Sequence, residues 1–313
     1  MINPKLSRRK SLRLSGAAVA TTSLASLKAS EPVGPSSFNY CLNMSTIRGQ
    51  KLNLMEEIDI AGKAGYNSIE PWINKIADHA KRGGKLSDVK NKIADYGMTV
   101  ESAIGFARWI VDDKTEREKG FEQAKVDMDL IAQIGGTRLA APPAGANKTP
   151  GLNLDRAAER YRRLLILGEK MKVVPQIEVW GQSANLNTIQ SSLYVALASG
   201  HPDACLLGDV YHFYKGGSSF DSLRLLGPHA LQVFHMNDYP AEPPQATIRD
   251  EHRVYPGDGI APMKKIFSTF AELGVAPVLS LELFNKTYWK QDAMAVAKTG
   301  LQKMKKVVSE SLL

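Results

Sequence analysis

Residues 173–209 read VVPQIEVWGQSANLNTIQSSLYVALASGHPDACLLGD. An apolar run, Val173–Val179, gives way to a polar loop, an amphipathic stretch from Thr188 to Ser199, a Gly200-His201-Pro202 turn and a second apolar run, Ala204–Asp209. Nearly continuous apolar runs separated by a helical pattern mark parallel strands buried on both faces and joined by a crossover helix. The unit recurs outward in both directions. Further strands are expected at Phe38–Asn43, Tyr66–Glu70, Met98–Ala103, Thr137–Ala140, Ala230–His235 and Pro277–Glu282. Helical patterns over Leu52–Ala64, Leu86–Tyr96, Glu116–Ile134, Leu154–Met171, Ser219–Leu226, Ile260–Leu273 and Trp289–Val308 alternate with them. In Ala64-Gly65-Tyr66, Tyr96-Gly97-Met98 and Leu273-Gly274-Val275 a glycine stands where a left-handed residue ends a helix before the next strand. Eight strand–helix units in one series predict a single α/β domain, a (β/α)8 barrel over residues 38–313. A doubly wound sheet fits less well, because no glycine-rich phosphate turn follows the first strand.

Of 313 residues, 43% are hydrophobic and 23% charged, the balance of a soluble globular chain, which excludes collagenous, coiled-coil and wholly disordered classes. No stretch approaches the ~18 consecutive apolar residues of a membrane span. The net charge of +8 invites a nucleic-acid reading, but residues 1–30 hold Lys5, Arg8, Arg9, Lys10, Arg13 and Lys28 and no acidic residue. With 40 basic and 32 acidic residues in all, the rest of the chain carries only +2, too little for a surface that neutralises several phosphates. The leader, Ser7-Arg8-Arg9-Lys10-Ser11-Leu12 followed by a weakly apolar Gly16–Leu27 and small residues near Ala29, has the layout of an export signal. Paired arginines before a weak apolar segment point to the twin-arginine machinery, and so to a periplasmic protein exported folded, without stable membrane insertion. Cys41 and Cys205 each sit in an apolar run and are expected as buried free thiols.

In such a barrel the chemistry lies at the carboxyl ends of the strands. Four consecutive strands end in groups that apolar packing does not require: Glu178, Asp209, His235 and Glu282. One acidic residue there is ordinarily a helix cap or ion-pair partner, and one histidine a structural group; four together form a set. Three carboxylates and an imidazole suit a single hard or borderline divalent ion, Mn2+ ahead of Mg2+, Co2+ or Zn2+, with coordination positions left for substrate oxygens. His212 and Asp238 lie in the loops just beyond, and Arg253 in a long polar loop can reach hydroxyl or oxyanion oxygens. Glu70 ends the second strand, where a structural role is as good a reading. Trp109 and Trp180 are candidates for an apolar wall against a sugar ring.

Gln176-Ile177-Glu178-Val179-Trp180-Gly181, Asp209-Val210-Tyr211-His212-Phe213, Phe234-His235-Met236-Asn237-Asp238, Arg253-Val254-Tyr255-Pro256-Gly257-Asp258-Gly259 and Leu281-Glu282-Leu283-Phe284-Asn285 with Tyr288-Trp289 together resemble the xylose-isomerase-like barrels of the sugar isomerase/epimerase superfamily. Within it they are most similar to the inosose isomerases. The resemblance implies that Glu178, Asp209, His235 and Glu282 are metal ligands, that Glu178 and Glu282 move a proton, and that His212 and Arg253 hold substrate oxygens. Two positions depart from the inosose-type pattern: Gln182 where a histidine is common, and Met44 where a glutamate is.

The chemistry implied is isomerisation or epimerisation of a keto-sugar or cyclitol. With a ketone polarised by the ion, one glutamate removes the neighbouring C–H proton and the other returns it, through an enediolate. Two rival readings stay open at this level. One is an exported sugar-binding barrel without catalysis. The other is a metal-dependent abasic-site endonuclease, which would need a histidine-rich multi-metal cluster and a positive DNA-facing surface.

Overall fold

Eight parallel strands form one sheet: β1 (Tyr40–Asn43), β2 (Ser68–Glu70), β3 (Thr99–Val100), β4 (Arg138–Ala141), β5 (Val174–Glu178), β6 (Leu206–Asp209), β7 (Leu231–Met236) and β8 (Val278–Leu281). Their order is β3-β2-β1-β8-β7-β6-β5-β4. The Ala140 N–H donates to Ala103 O at 2.9 Å and bridges the remaining seam between β3 and β4. This computed structural model describes residues 33–313, so the expected export signal at 1–30 lies outside the described residues.

Each strand falls where an apolar run predicts it, within two residues at either end, except β3. Its expected six residues shrink to two, because beyond Val100 the chain bonds to β2 only intermittently, through Glu101 N–H to Ile69 O and Ile104 N–H to Pro71 O. The helices are α1 (Leu54–Ala64), α2 (Ile73–Lys81), α3 (Leu86–Asp95), α4 (Lys114–Gln133), α5 (Leu154–Met171), α6 (Ile189–Ala198), α7 (Val210–Gly216), α8 (Met263–Leu273) and α9 (Ala293–Ser311). The expected caps Gly65, Gly97 and Gly274 all take positive φ. Two helices go beyond the expected set. α2 is short and polar apart from one face, which buries Ile73 and Ile76. α7 follows β6 with no intervening loop, so its start is hidden inside a strand pattern. The helix expected at Ser219–Leu226 is a 3-10 turn, Phe220–Leu225.

Buried apolar side chains fill two compartments. The larger lies between strands and helices. The smaller, Ile104, Ala140, Leu207 and Val233 with Val278 against it, fills the inside of the ring. Leu207 pairs in register with Val233, and Val233 with Val278, so these three form one layer. Register partners on parallel strands point the same way. Two residues further along, Asp209 pairs with His235 and His235 with Ser280, so a polar layer rests directly on an apolar floor.

Candidate metal and active site

Glu178 is the last residue of β5 and Asp209 the last of β6; His235 is the penultimate residue of β7, and Glu282 follows the last residue of β8. Their side chains are buried at the mouth of the ring. One oxygen or nitrogen from each of Asp209, His235 and Glu282 lies within 4.8 Å of the others. Glu178 is not part of that tight set, although Glu282 acts on its charge.

Asp209 has two functions, one per oxygen. Its Oδ1 accepts the His212 backbone N–H at 2.9 Å, which caps α7, and the Asn237 Nδ2–H at 3.2 Å. Its Oδ2 faces the site, 3.0 Å from Arg253 Nη1 and 3.5 Å from His235 Nδ1. The same Arg253 nitrogen donates to Glu282 Oε2 at 2.8 Å, and His235 Nδ1 lies 3.2 Å from that oxygen. Arg253 Nη2 donates to Asp250 Oδ1 and lies 3.1 Å from His212 Nε2. The guanidinium packs between the rings of Tyr211 and Phe284, 4.4 and 5.1 Å from their centroids. Arg253 is thus 1% exposed and committed to carboxylates, leaving its Nε as the donor without a partner. The Gly181 N–H points at His212 Nδ1 at 3.3 Å. A Cβ at position 181 would stand 2.4 Å from His212 O, so only glycine lets the loop after β5 lie against α7.

Protonation follows from these contacts. Burial, then Glu282, push the Glu178 carboxyl up to about 8. It therefore holds a proton at neutral pH when no cation faces it. Burial opposes an imidazolium at His235, yet Glu282, Glu70 and Asp209 outweigh it and raise its pKa well above the usual histidine range. Burial opposes charge on Asp209 too, but Arg253 and His212 hold it ionised. His212 is pulled down by burial, against the opposing pull of Asp209.

Two further strand-end residues complete the polar layer: Glu70, already noted at the end of the second strand, and Asn43, which the strand-end rule would have flagged. Asn43, last in β1, donates through Nδ2 to Glu70 Oε2 at 2.9 Å and Glu282 Oε1 at 3.2 Å. Glu70, last in β2, accepts from His235 Nε2 at 3.0 Å. Asp250 carried no such signal; it enters because the 3-10 turn Asp250–His252 sets its carboxylate beside Arg253, three residues on. Asp238 is a scaffold rather than a site group. Its carboxylate accepts the backbone N–H groups of Tyr239, Gly257, Gly259 and Ala261, and so ties down the loop that carries Arg253. Trp109 is corrected: it is fully buried, packs against Tyr161 and donates to Pro142 O, so it presents no wall to a ligand. The half-buried Trp180 does stand in an aromatic row, with Phe106 at 6.1 Å, then Trp72 and Phe284. Met44 is 1% exposed and packs in the core. His201 pairs with Glu169 at 3.3 Å, away from this set.

Buried orphan atoms test the fit of a cation. His235 Nδ1 and Glu178 Oε2 are both buried without a hydrogen-bond partner. An imidazole nitrogen and a carboxylate oxygen without aligned partners, beside the Asp209 and Glu282 carboxylates, suit a divalent ion; without one, a proton on His235 Nδ1 faces Glu282 and Asp209 in its place.

Residues 58–307 match the family of xylose isomerase-like TIM barrels, and the chain belongs to that family. It is 26% identical over 278 residues to an inosose isomerase of Bacillus velezensis, covering 86% of this chain and 97% of that protein. Among solved structures it is similar to an IolI protein with a bound zinc atom, at a TM-score of 0.80 and 22% identity over 88% of this chain and 99% of that one. An L-ribulose 3-epimerase aligns with a TM-score of 0.72 and 17% identity over 88% of this chain and 95% of that one. At these identities the two structural likenesses are likenesses of fold.

Proposed function

We propose that the protein is a divalent-metal-dependent isomerase or epimerase of keto-sugars or keto-inositols, with Glu178 and Glu282 as the proton-transferring pair. The observation that carries this reading is the convergence of Asp209, His235 and Glu282, with Glu178 close enough for Glu282 to act on its charge and with His235 Nδ1 and Glu178 Oε2 both lacking a hydrogen-bond partner. The near full-length similarity to an inosose isomerase supports the reaction class. Glu178, Asp209, His235 and Glu282 would hold the ion, which supplies Lewis-acid polarisation of a carbonyl and its neighbouring hydroxyl. β5 and β8 are separated in the sheet by β6 and β7, so the two glutamates approach a bound carbon from different sides. One takes the proton from the carbon beside the carbonyl. The other, entering protonated, delivers a proton to the opposite face of that carbon for epimerisation, or to the carbonyl carbon for isomerisation, in which case the hydroxyl proton passes to the former carbonyl oxygen. Arg253 Nε and the His212 ring are assigned to substrate oxygens, and the Trp180–Phe106–Trp72 row to the apolar face of the ring.

The test is a panel of inososes and keto-sugars incubated with Mn2+-loaded protein in D2O. Exchange or rearrangement at the carbon next to the carbonyl is expected for at least one; binding of metal and sugar with no exchange on any would leave a binding protein instead. We assign residues 1–30 to twin-arginine export and the mature protein to the periplasm, on the leader's paired arginines and lack of acidic residues.

A further inference from the structure

Glu70 lies outside the set of groups assigned to metal, substrate or proton transfer, yet it is fully buried and touches one of them. Its Oε2 receives three donors: Ser280 Oγ at 2.7 Å, Asn43 Nδ2 at 2.9 Å and His235 Nε2 at 3.0 Å. The orientation of the Asn43 amide is settled independently, because its Oδ1 accepts the Ser45 N–H at 2.9 Å, which turns the NH2 group towards Glu70. An oxygen facing that many donors acts as an acceptor only. The nitrogen of His235 that points at it must therefore carry hydrogen. Once Nε2 holds the proton, the neutral imidazole has its lone pair on Nδ1. Nδ1 makes no aligned hydrogen bond; it faces Glu282 Oε2 at 3.2 Å and Asp209 Oδ2 at 3.5 Å, the two carboxylates of the ion site. Sheet register builds this arrangement from four adjacent strands, since Glu70 pairs with Asn43 and Ser280 with His235.

We infer that Glu70 is a positioning residue: it fixes His235 in the Nε2–H tautomer and aims the Nδ1 lone pair at the ion site. The inference rests on the metal-site reading above. A carboxylate behind a ligating histidine orients the ring and raises its basicity, and its loss typically costs 10- to 100-fold in metal affinity. Glu70→Gln keeps an oxygen for the three donors and removes the charge. Glu70→Ala removes both and frees the ring to turn.

The experiment uses the full chain and three proteins: parent, Glu70→Gln and Glu70→Ala. Co2+ affinity is measured by competition with a chelator, and the coordinating nitrogen of His235 by 15N-histidine NMR of the Zn2+-loaded forms. Expected are Nδ1 coordination with Nε2–H in the parent, affinity lower by about tenfold in Glu70→Gln, and up to about 100-fold lower in Glu70→Ala with the ring signature changed. A purely structural role for Glu70 would lower thermal stability and leave the coordinating nitrogen unaltered. If both variants bind Co2+ like the parent and keep Nδ1 coordination, the inference is overturned. If the parent itself binds no divalent ion, the metal-site reading fails and takes the inference with it. Should Glu70→Ala not fold, the Glu70→Gln comparison still decides, because that change preserves volume and hydrogen bonds.

Discussion

At Glu178, burial and the neighbouring Glu282 hold a proton on a group that the proposed reaction needs as a base. A divalent ion would have to displace that proton and another from His235, whose pKa is raised mainly by Glu282 and Glu70 against the effect of burial. Ligands bind metals in their deprotonated forms, so affinity should fall as pH drops below about 8. One competing proton weakens binding by up to ~10-fold for each step of one in pH. Mn2+ titrations from pH 8.5 to 6 should show this fall; a flat profile would remove Glu178 and His235 from the ligand set. The glutamates also differ from the other ligands in their chemistry. Glutamine keeps one coordinating oxygen but no basicity, so Glu178→Gln and Glu282→Gln should each lower turnover by at least ~10²-fold. Metal content must be measured in each variant, and a metal-replete Glu282→Gln protein with normal turnover would refute the two-carboxylate scheme.

Single elements carry their own electrostatic costs. On α4, Asp127 is 2% exposed and accepts only the Gln123 Nε2–H. Burial raises its pKa from 3.8 to about 6. A raised carboxyl pKa favours the folded state at low pH, and that contribution is lost as pH climbs from 3.8 towards 6. Asp127→Asn keeps the acceptor without the charge. It should add ~1–3 kcal/mol at pH 7.5, because a tenfold change in proton affinity corresponds to about 1.4 kcal/mol, and almost nothing well below the ordinary value of 3.8. Urea unfolding at pH 7.5 and at a pH well below 3.8 measures the difference. The loop after β7 shows the opposite economy: four backbone N–H groups converge on Asp238, and this cage sets where Arg253 enters the site.

For the whole molecule, the ring places its polar layer on an apolar floor of Leu207, Val233 and Val278, so the charges at the mouth are backed by a dry interior. That setting strengthens every electrostatic interaction above it. None of the described helices is long and apolar enough to cross a membrane. The leader's destination is a matter for cells. Replacing Arg8 and Arg9 by lysine should leave precursor in the cytoplasm when fractions are probed, and undiminished export would defeat the twin-arginine assignment.

Local pattern determined much of this protein. Eight apolar runs located eight strands, and the one-residue rule that a buried strand should not end in a charge singled out Glu178, Asp209, His235 and Glu282. The same rule, widened to any polar group, adds Asn43 to the Glu70 already noted. What it does not contain is partnership. Glu70 and His235 are 165 positions apart and meet only because the ring closes. Arg253 reads as a free loop arginine until Asp238 fixes its loop and Asp209 and Glu282 draw it in. Trp109 reads as a ligand wall until packing against Tyr161 buries it. Strand and helix periods are set by neighbours a few residues away, so a sequence displays them. Tautomers, orphaned atoms and displaced pKa values depend on which distant side chains share a dry space, and only the folded chain brings those together.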